Sequence, residues 1–334
     1  QSYPKQHRKS TKNTVSFHDG HTTGFPAVAM DALHERVADR FPTCDRPGGR
    51  PPVLLWRQEV QISIMDIRRN RTQAELAEDF SVSQATISRV IARWTPRPGE
   101  VLDEFIPAVE DLDASEQVIV DGTLSPCWDW NDQPGLFSGK HRRTGVNLQV
   151  VADLTGKLLQ VSKPAPGSAH DAKAIKATGL LEHFKNTPPL ADKGYVGLEL
   201  LTPDRKPAGA ELTTTQKNSN RIINSLRAAV ERAIAHLKTW RILHTPYRRP
   251  FHTFAQTITT VIALQFYGGH ETRSFSVLRG GRCSKSWSKV RPVMCEANAP
   301  KVSSGVSRWM FAMLFLAVFQ TCSTGLWSGA YGGR

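Results

Sequence analysis

Val118-Ile119-Val120-Asp121-Gly122-Thr123 is the stretch on which the fold turns: a β-branched run that predicts a short strand, closed by a carboxylate and a glycine. Two further acids occupy comparable settings. Asp192 follows an apolar pair in Leu190-Ala191-Asp192-Lys193-Gly194-Tyr195, and Glu231 lies in the helical pattern Ala229-Val230-Glu231-Arg232-Ala233-Ile234-Ala235-His236-Leu237-Lys238. A carboxylate at one strand end, another at a second strand end and a third on a neighbouring helix can converge on two divalent ions. Such ions, about 3.5–4 Å apart, are a device for cutting and joining phosphodiesters. Mg²⁺ (or Mn²⁺) suits the donors, because a hard ion takes carboxylate oxygens and keeps several waters. The expectation is two ions per site, with Asp121 bridging them and Asp192 and Glu231 each completing one side. Taken singly, Asp121 and Asp192 also read as turn residues, and Glu231 as a local partner of Arg227 one turn earlier.

Outward from Asp121, the pattern predicts an α/β fold. Glu116–Val120 is the first strand and Val146–Ala152, alternating apolar and polar, the second. Asp153-Leu154-Thr155-Gly156 is a turn, and Lys157–Ser162 returns as a third strand. A helix opens at Ser168 or His170-Asp171; Asp171 rivals Asp192 for the second acid position, but it reads better as capping this helix and, together with His170, supporting the acids from behind. Pro188-Pro189-Leu190-Ala191 forms a fourth strand ending at Asp192. Ser219–Trp240 is a long helix with Ile222, Leu226, Val230, Ile234 and Leu237 on one face. The order βββ-α-β-α is that of a ribonuclease-H-like core, a mixed sheet flanked by helices, here assigned to residues 100–268.

Residues 31–98 read as a separate all-α segment ending at the breaker Pro96-Arg97-Pro98-Gly99. Thr72 with Glu75 three positions on is a capping box. Phe80-Ser81-Val82 is a short turn without the usual glycine, and Ser83 caps a second helix carrying Ile87, Val90, Ile91 and Trp94. With Ala77, Val82 and Ile87 as its core, this is a helix-turn-helix pattern. Gln84, Thr86, Ser88, Arg89 and Arg93 then face outward, where they suit base edges and phosphates in a major groove. An ordinary helical hairpin is the alternative.

A formal charge of +13 over 334 residues calls for a polyanionic partner, and double-stranded DNA is the leading one. Lys140, Arg142 and Arg143 in the loop Phe137–Gly145, with Arg232 and Lys238 on the long helix, are the cations expected to carry phosphates to the acids. Trp128, Trp130 and Trp240 could stack on a flipped base, with core packing the stronger reading for each. The five cysteines are odd in number, widely spread and form no CxxC pair, so neither a disulfide framework nor a zinc site is suggested and a reducing cytoplasm fits. Residues 1–30 form a polar arm expected to be disordered, within which Met30 is a candidate start. The apolar run Trp309–Phe319 has eleven residues, short of the ~18 a membrane span needs, so no membrane partner is expected. Residues 269–334 lack periodicity and read as an atypical, read-through tail.

These residues together resemble a known family. Asp121-Gly122-Thr123, Ser138-Gly139-Lys140-His141-Arg142-Arg143-Thr144-Gly145-Val146-Asn147, Gly167-Ser168-Ala169-His170-Asp171, Ala191-Asp192-Lys193-Gly194-Tyr195 and Glu231–Trp240 are similar to the DDE transposases of the insertion-sequence-five family of bacteria, related to Harbinger-type elements. The resemblance runs from about Asp31 to Leu264. It implies cut-and-paste transposition of an element with short terminal inverted repeats, with Asp121, Asp192 and Glu231 as the catalytic acids. It further implies a homodimer holding two DNA ends, acting on target DNA in the bacterial cytoplasm at the nucleoid. A catalytically inactive DNA-binding remnant, or a nuclease that cuts without joining, are the competing functions.

Overall fold

A computed structural model gives the fold for residues 20–42, 52–128, 133 and 135–279. The second predicted strand becomes the axis of the sheet. The five strands are β1 (Val118–Pro126), β2 (Phe137–Ser138), β3 (Arg143–Asp153), β4 (Leu158–Val161) and β5 (Ala165–Pro166). β1 pairs antiparallel along one edge of β3, while β4, β5 and β2 line its other edge, so every named strand is antiparallel to β3. The protein is thus a mixed α/β fold with an antiparallel sheet flanked by helices.

Beyond β1 the sheet gains only isolated parallel bridges, Ile119 to Leu190 and Leu190 to Leu201. A full fourth strand over 188–191 does not form, because Pro188 and Pro189 have no N–H to give a ladder. Leu190 is held to β1 all the same: its N–H donates to Val118 O at 2.8 Å and its carbonyl accepts from Val120 N at 2.8 Å. β1 also runs further than predicted. Asp121 sits in mid-strand rather than at its end, because β3 is long enough to pair as far as Pro126.

Ten α-helices accompany the sheet among the described residues. Six precede it: α1 (Gly20–Thr23), α2 (Ala27–Arg40), α3 (Trp56–Arg69), α4 (Gln73–Asp79), α5 (Gln84–Trp94) and α6 (Pro96–Val101). Then come α7 (Asp171–Lys176), α8 (Leu180–His183), α9 (Thr214–Leu237) and α10 (Phe254–Arg279). α7 and α8 cover one face, where Ile175, Leu180 and Phe184 pack on Val118, Val120 and Val151. α9 covers the other face through Ala229, Val230, Ala233 and Leu237. The predicted stripe is only partly that one: Ile222, Leu226 and Ile234 stay half-buried, because the small Ala229 and Ala233 are what let the helix approach the sheet. α9 also starts earlier than predicted, at a capping box in which Thr213 Oγ1 accepts from Gln216 N at 3.2 Å and Gln216 Oε1 accepts from Thr213 N at 3.0 Å.

In the N-terminal helices the caps form where the sequence puts them. Thr72 and Glu75 make the reciprocal box, and Ser83 Oγ accepts from Thr86 N at 3.2 Å. Between α4 and α5, Ser81 takes the left-handed conformation (φ 52°) that a glycine would adopt more readily. Ile87, Val90, Ile91 and Trp94 are buried, and Trp56 stacks on Trp94 with ring centroids 6.4 Å apart. α10 packs on α6 and does not break at Gly268-Gly269, the predicted end of regular structure. The ring of Phe25 lies so close that a Cβ on Gly268 would come within 2.9 Å of it, so glycine serves there for close packing rather than as a stop. Trp130, the first nineteen residues of the polar arm and the tail beyond Arg279, with its apolar run, lie outside the described residues. Among those described, no helix is long and apolar enough to cross a membrane.

Candidate active site

Strand register sets the first two acids side by side. In the parallel bridge Ile119 faces Leu190, so two residues on Asp121 and Asp192 stand level, on adjacent segments roughly 4.8 Å apart in a sheet. Alternation points Asp121 away from the Val118–Val120 face and toward α9. There its Oδ2 accepts from Arg227 Nη2 at 3.1 Å, with both side chains 14% exposed. Its Oδ1 accepts from Gly122 N at 2.9 Å. Burial raises the Asp121 carboxyl above the usual carboxylate range; the Arg227 guanidinium opposes this and the Asp192 charge adds to it. Asp192 Oδ1 accepts from Gly194 N at 2.6 Å, which fixes the turn after it.

Glu231 is exposed and is not drawn into this pair. Helix geometry places it all the same. Arg227, Glu231 and Lys238 are four and seven residues apart, a spacing that keeps all three within a narrow arc of α9. Glu231 stands about 6 Å along the axis from Arg227 and about 10 Å short of Lys238 at 1.5 Å per residue. Arg227 touches Asp121 at one end of this stripe, and Lys238 acts electrostatically on His141 at the other. Lys238 is itself half-buried, and burial lowers its ammonium pKa. Arg232, one position on, turns away toward the β3–β4 turn, where its guanidinium lies 3.6 Å from the position of a Cβ on Gly156.

A second group of polar side chains lies on the α7 face. Asp171, 8% exposed, is the first residue of α7 and not its cap as the sequence suggested. The N-cap is the exposed His170, which makes no side-chain cap bond, and the Asp171 oxygens are taken by other donors. Its Oδ2 accepts from Lys140 Nζ and its Oδ1 from Asn147 Nδ2, both at 2.7 Å. Asn147 Oδ1 accepts from Gln149 Nε2 at 2.9 Å, and Gln149 Oε1 from the Tyr195 hydroxyl at 2.6 Å. Burial works against the charge on Asp171, yet the bonds from Lys140 and Asn147 outweigh it and the carboxyl falls below its ordinary value. The same pair raises Lys140 despite its partial burial, with smaller contributions from Asp192 and Asp121. Arg142 (φ 51°) and Arg143 are exposed on the same hairpin.

Sequence reasoning passed over Arg227 as the partner of Asp121, and Asn147, Gln149 and Tyr195 altogether. The signal for Asn147 and Gln149 was the polar half of an alternating strand, ordinarily a solvent face. Here both faces of β3 are covered, and Asn147 and Gln149 are 7% and 1% exposed. Of the tryptophans, Trp240 is in the core, its indole N–H donating to Gln265 Oε1 at 2.7 Å, whereas Trp128 is exposed.

In α5, Gln84, Ser88 and Arg89 are exposed and Thr86 is half-buried, its hydroxyl 2.9 Å from that of Ser83. Arg93 is half-buried and paired with Glu59 at 3.2 Å.

Among the described residues no three His, Cys, Asp or Glu side chains stand close enough to hold a metal ion together. Asp121 and Asp192 alone still offer a hard ion what it needs, since one or two carboxylates suffice where waters fill the remaining positions. The donor set therefore fits a divalent cation.

Residues 120–265 match the DDE superfamily endonuclease family, a span that contains all three acids and both groups of cations. The chain is 31% identical over 197 residues to the protein assigned as transposase of insertion sequence element IS112 in Streptomyces albus G, covering 58% of this chain and 73% of that protein. It is 27% identical over 234 residues to the one assigned to insertion sequence element IS702 in Microchaete diplosiphon, covering 66% of this chain and 83% of that protein. No solved structure matches the chain. Endonucleases of this superfamily generally use divalent metal ions, in keeping with the carboxylate pair. The chain belongs to the insertion-sequence transposases that carry a DDE superfamily endonuclease domain.

Proposed function

We propose that this protein is a cut-and-paste DNA transposase of the insertion-sequence-five family, related to Harbinger-type elements, with a ribonuclease-H-like core over residues 100–268. The observation that carries the reading is the register that sets Asp121 beside Asp192 with the Arg227–Glu231–Lys238 stripe of α9 on the same side. Three antiparallel strands, a helix, a parallel segment on the far edge of β1 and a long helix give the core its chain order.

Asp121, Asp192 and Glu231 would hold two Mg²⁺ (or Mn²⁺) ions. The bound ions supply charge stabilisation at the scissile phosphate and a deprotonated water or 3′-hydroxyl as nucleophile. The residues around them orient the DNA. Lys140, Arg142, Arg143 and Lys238 line the approach to the carboxylates, and Arg232 extends the basic surface along α9. α4, the Ser81 turn and α5 act as a helix-turn-helix over residues 31–98, with Gln84, Thr86, Ser88 and Arg89 on the DNA side and Arg93 bracing α5 on Glu59. The partner is double-stranded DNA, first the terminal inverted repeats and then the target, and a homodimer holds the two ends together at the bacterial nucleoid.

The test is cleavage and strand transfer on DNA carrying the element's own ends, with Mg²⁺, with EDTA, and with Asp121→Asn. Metal-dependent cutting and joining that the substitution abolishes supports the reading. Specific binding to the ends with no cutting in any condition makes the protein a DNA-binding remnant instead, and cutting without joining makes it a nuclease.

A further inference from the structure

The Asp171 carboxylate is bonded at both oxygens by side-chain donors. Each oxygen takes a bond at 2.7 Å, one from Lys140 and one from Asn147. It is also walled in. A Cβ on Gly122, directly behind Asp121 in the chain, would meet Asp171 Oδ1 at 2.3 Å, so the strand carrying Asp121 has a gap where this carboxylate fits. The two groups that Asp171 holds are unequal. Asn147 is buried and leads through Gln149 to the Tyr195 hydroxyl, three residues past Asp192. Lys140 is 52% exposed and presents its remaining donors to solvent while lying within electrostatic reach of both Asp192 and Asp121.

A lysine on a hairpin tip ordinarily loses rotamer freedom when it is fixed on a ligand. Here the bond to a buried carboxylate fixes the ammonium beforehand, and the charge of Asp171 is matched by that of Lys140. We infer that Asp171 is a positioning residue: it sets the Lys140 ammonium against the phosphate backbone that lies along the Asp121–Asp192 pair. This rests on the transposase reading, and it assigns to Asp171 a part in placing DNA rather than in holding metal.

The experiment compares Lys140→Met, Asp171→Asn and the double variant in single-turnover cleavage of element ends, with end binding and thermal unfolding measured alongside. Misplacing a group at a reacting centre by about 1 Å costs on the order of 100-fold in rate. Both single variants should lose about that much in cleavage, with end affinity within about threefold of wild type, and the double variant should be no slower than Lys140→Met. Losses that multiply in the double variant would overturn the inference, because Asp171 would then act independently of Lys140. Acylation of Lys140 by an amine-reactive reagent, followed by mass spectrometry, reads the same link without any cleavage. Faster labelling in Asp171→Asn supports the link and unchanged labelling overturns it, even in a protein that cuts nothing and for which the transposase reading has failed.

Discussion

Replacing Gly122 with alanine puts a methyl group into the space of the Asp171 carboxylate. The new carbon would lie 2.3 Å from Oδ1, 2.7 Å from Cγ and 3.1 Å from Gln149 Nε2, whereas an uncrowded contact needs 3.4 Å or more. The first gap is short by about 1 Å, and the crowded atoms are not free ends: Asp171 is anchored by Lys140 and Asn147, and Gln149 by Tyr195. Overpacking of a buried site costs about 1–3 kcal/mol. Moving the carboxylate off Asn147 costs a further 1.5–3 kcal/mol or so, as for a hydrogen bond to a charged group. Restricting the unfolded chain offsets this by about 0.4–1 kcal/mol. The net expectation is a loss of about 1.5–5.5 kcal/mol, centred on roughly 3.5. In urea, with a slope of about 3 kcal/mol/M, the midpoint should fall by roughly 1 M. Gly139→Ala is the matched control, because a Cβ there meets nothing within 4 Å. A Gly122→Ala midpoint within about 0.2 M of wild type, by the same slope, would refute the packing of Asp171 against β1 and the inference built on it.

Three other outcomes follow from the same coordinates. Ser81→Gly should stabilise the protein by about 0.5–1 kcal/mol, since the left-handed turn at φ 52° costs a serine what it does not cost glycine; calorimetry showing destabilisation would mean that the α4–α5 turn is built differently. Arg89→Ala should weaken binding to element ends and lower the salt slope of binding by about one, whereas Arg93→Ala, which breaks the pair with Glu59, should show chiefly as lost stability; titrations at several salt concentrations, set beside melting curves, separate the two. Mg²⁺ or Mn²⁺ should raise the melting temperature of wild type, by the equivalent of about 2.7 kcal/mol at a hundred times the dissociation constant, and this gain should vanish in Asp192→Asn. An equal gain in both proteins would remove Asp192 from the metal site.

Much of this fold was legible because its signals are local. Thr72 with Glu75 and Ser83 ahead of an apolar run define helix starts without reference to anything distant, and they formed as read. The β-branched runs at 118–120 and 146–152 defined strands in the same way, although β1 could not be seen to continue past Asp121 until β3 was there to pair with it. What escaped were consequences of contact. Asn147 and Gln149 carry the polar half of a period-two pattern, and only the helices on both faces of β3 turn them from surface residues into a buried chain. Arg227 has a carboxylate four residues along its own helix, the arrangement that predicts a local ion pair. It bonds instead to Asp121, 106 residues away in sequence, because α9 is pressed onto the sheet by two alanines.

The same comparison explains why the third acid behaves unlike the first two. Asp121 and Asp192 owe their proximity to backbone hydrogen bonds at 2.8 Å between Leu190 and β1, a rigid link that no side-chain rotation can undo. Glu231 owes its place to helix phase alone. It shares a stripe with Arg227 and Lys238, has solvent around it, and lies one turn from the arginine that already occupies Asp121. A carboxylate on such a stripe can reach the pair only if Arg227 yields part of its hold on Asp121, so the two side chains compete for one position. Whatever neutralises Asp121 in place of Arg227, a cation above all, weakens that hold and favours the approach of Glu231. On the proposed reading, Glu231 joins the acid pair as Arg227 is freed toward the DNA backbone, an exchange set by the four-residue spacing between Arg227 and Glu231.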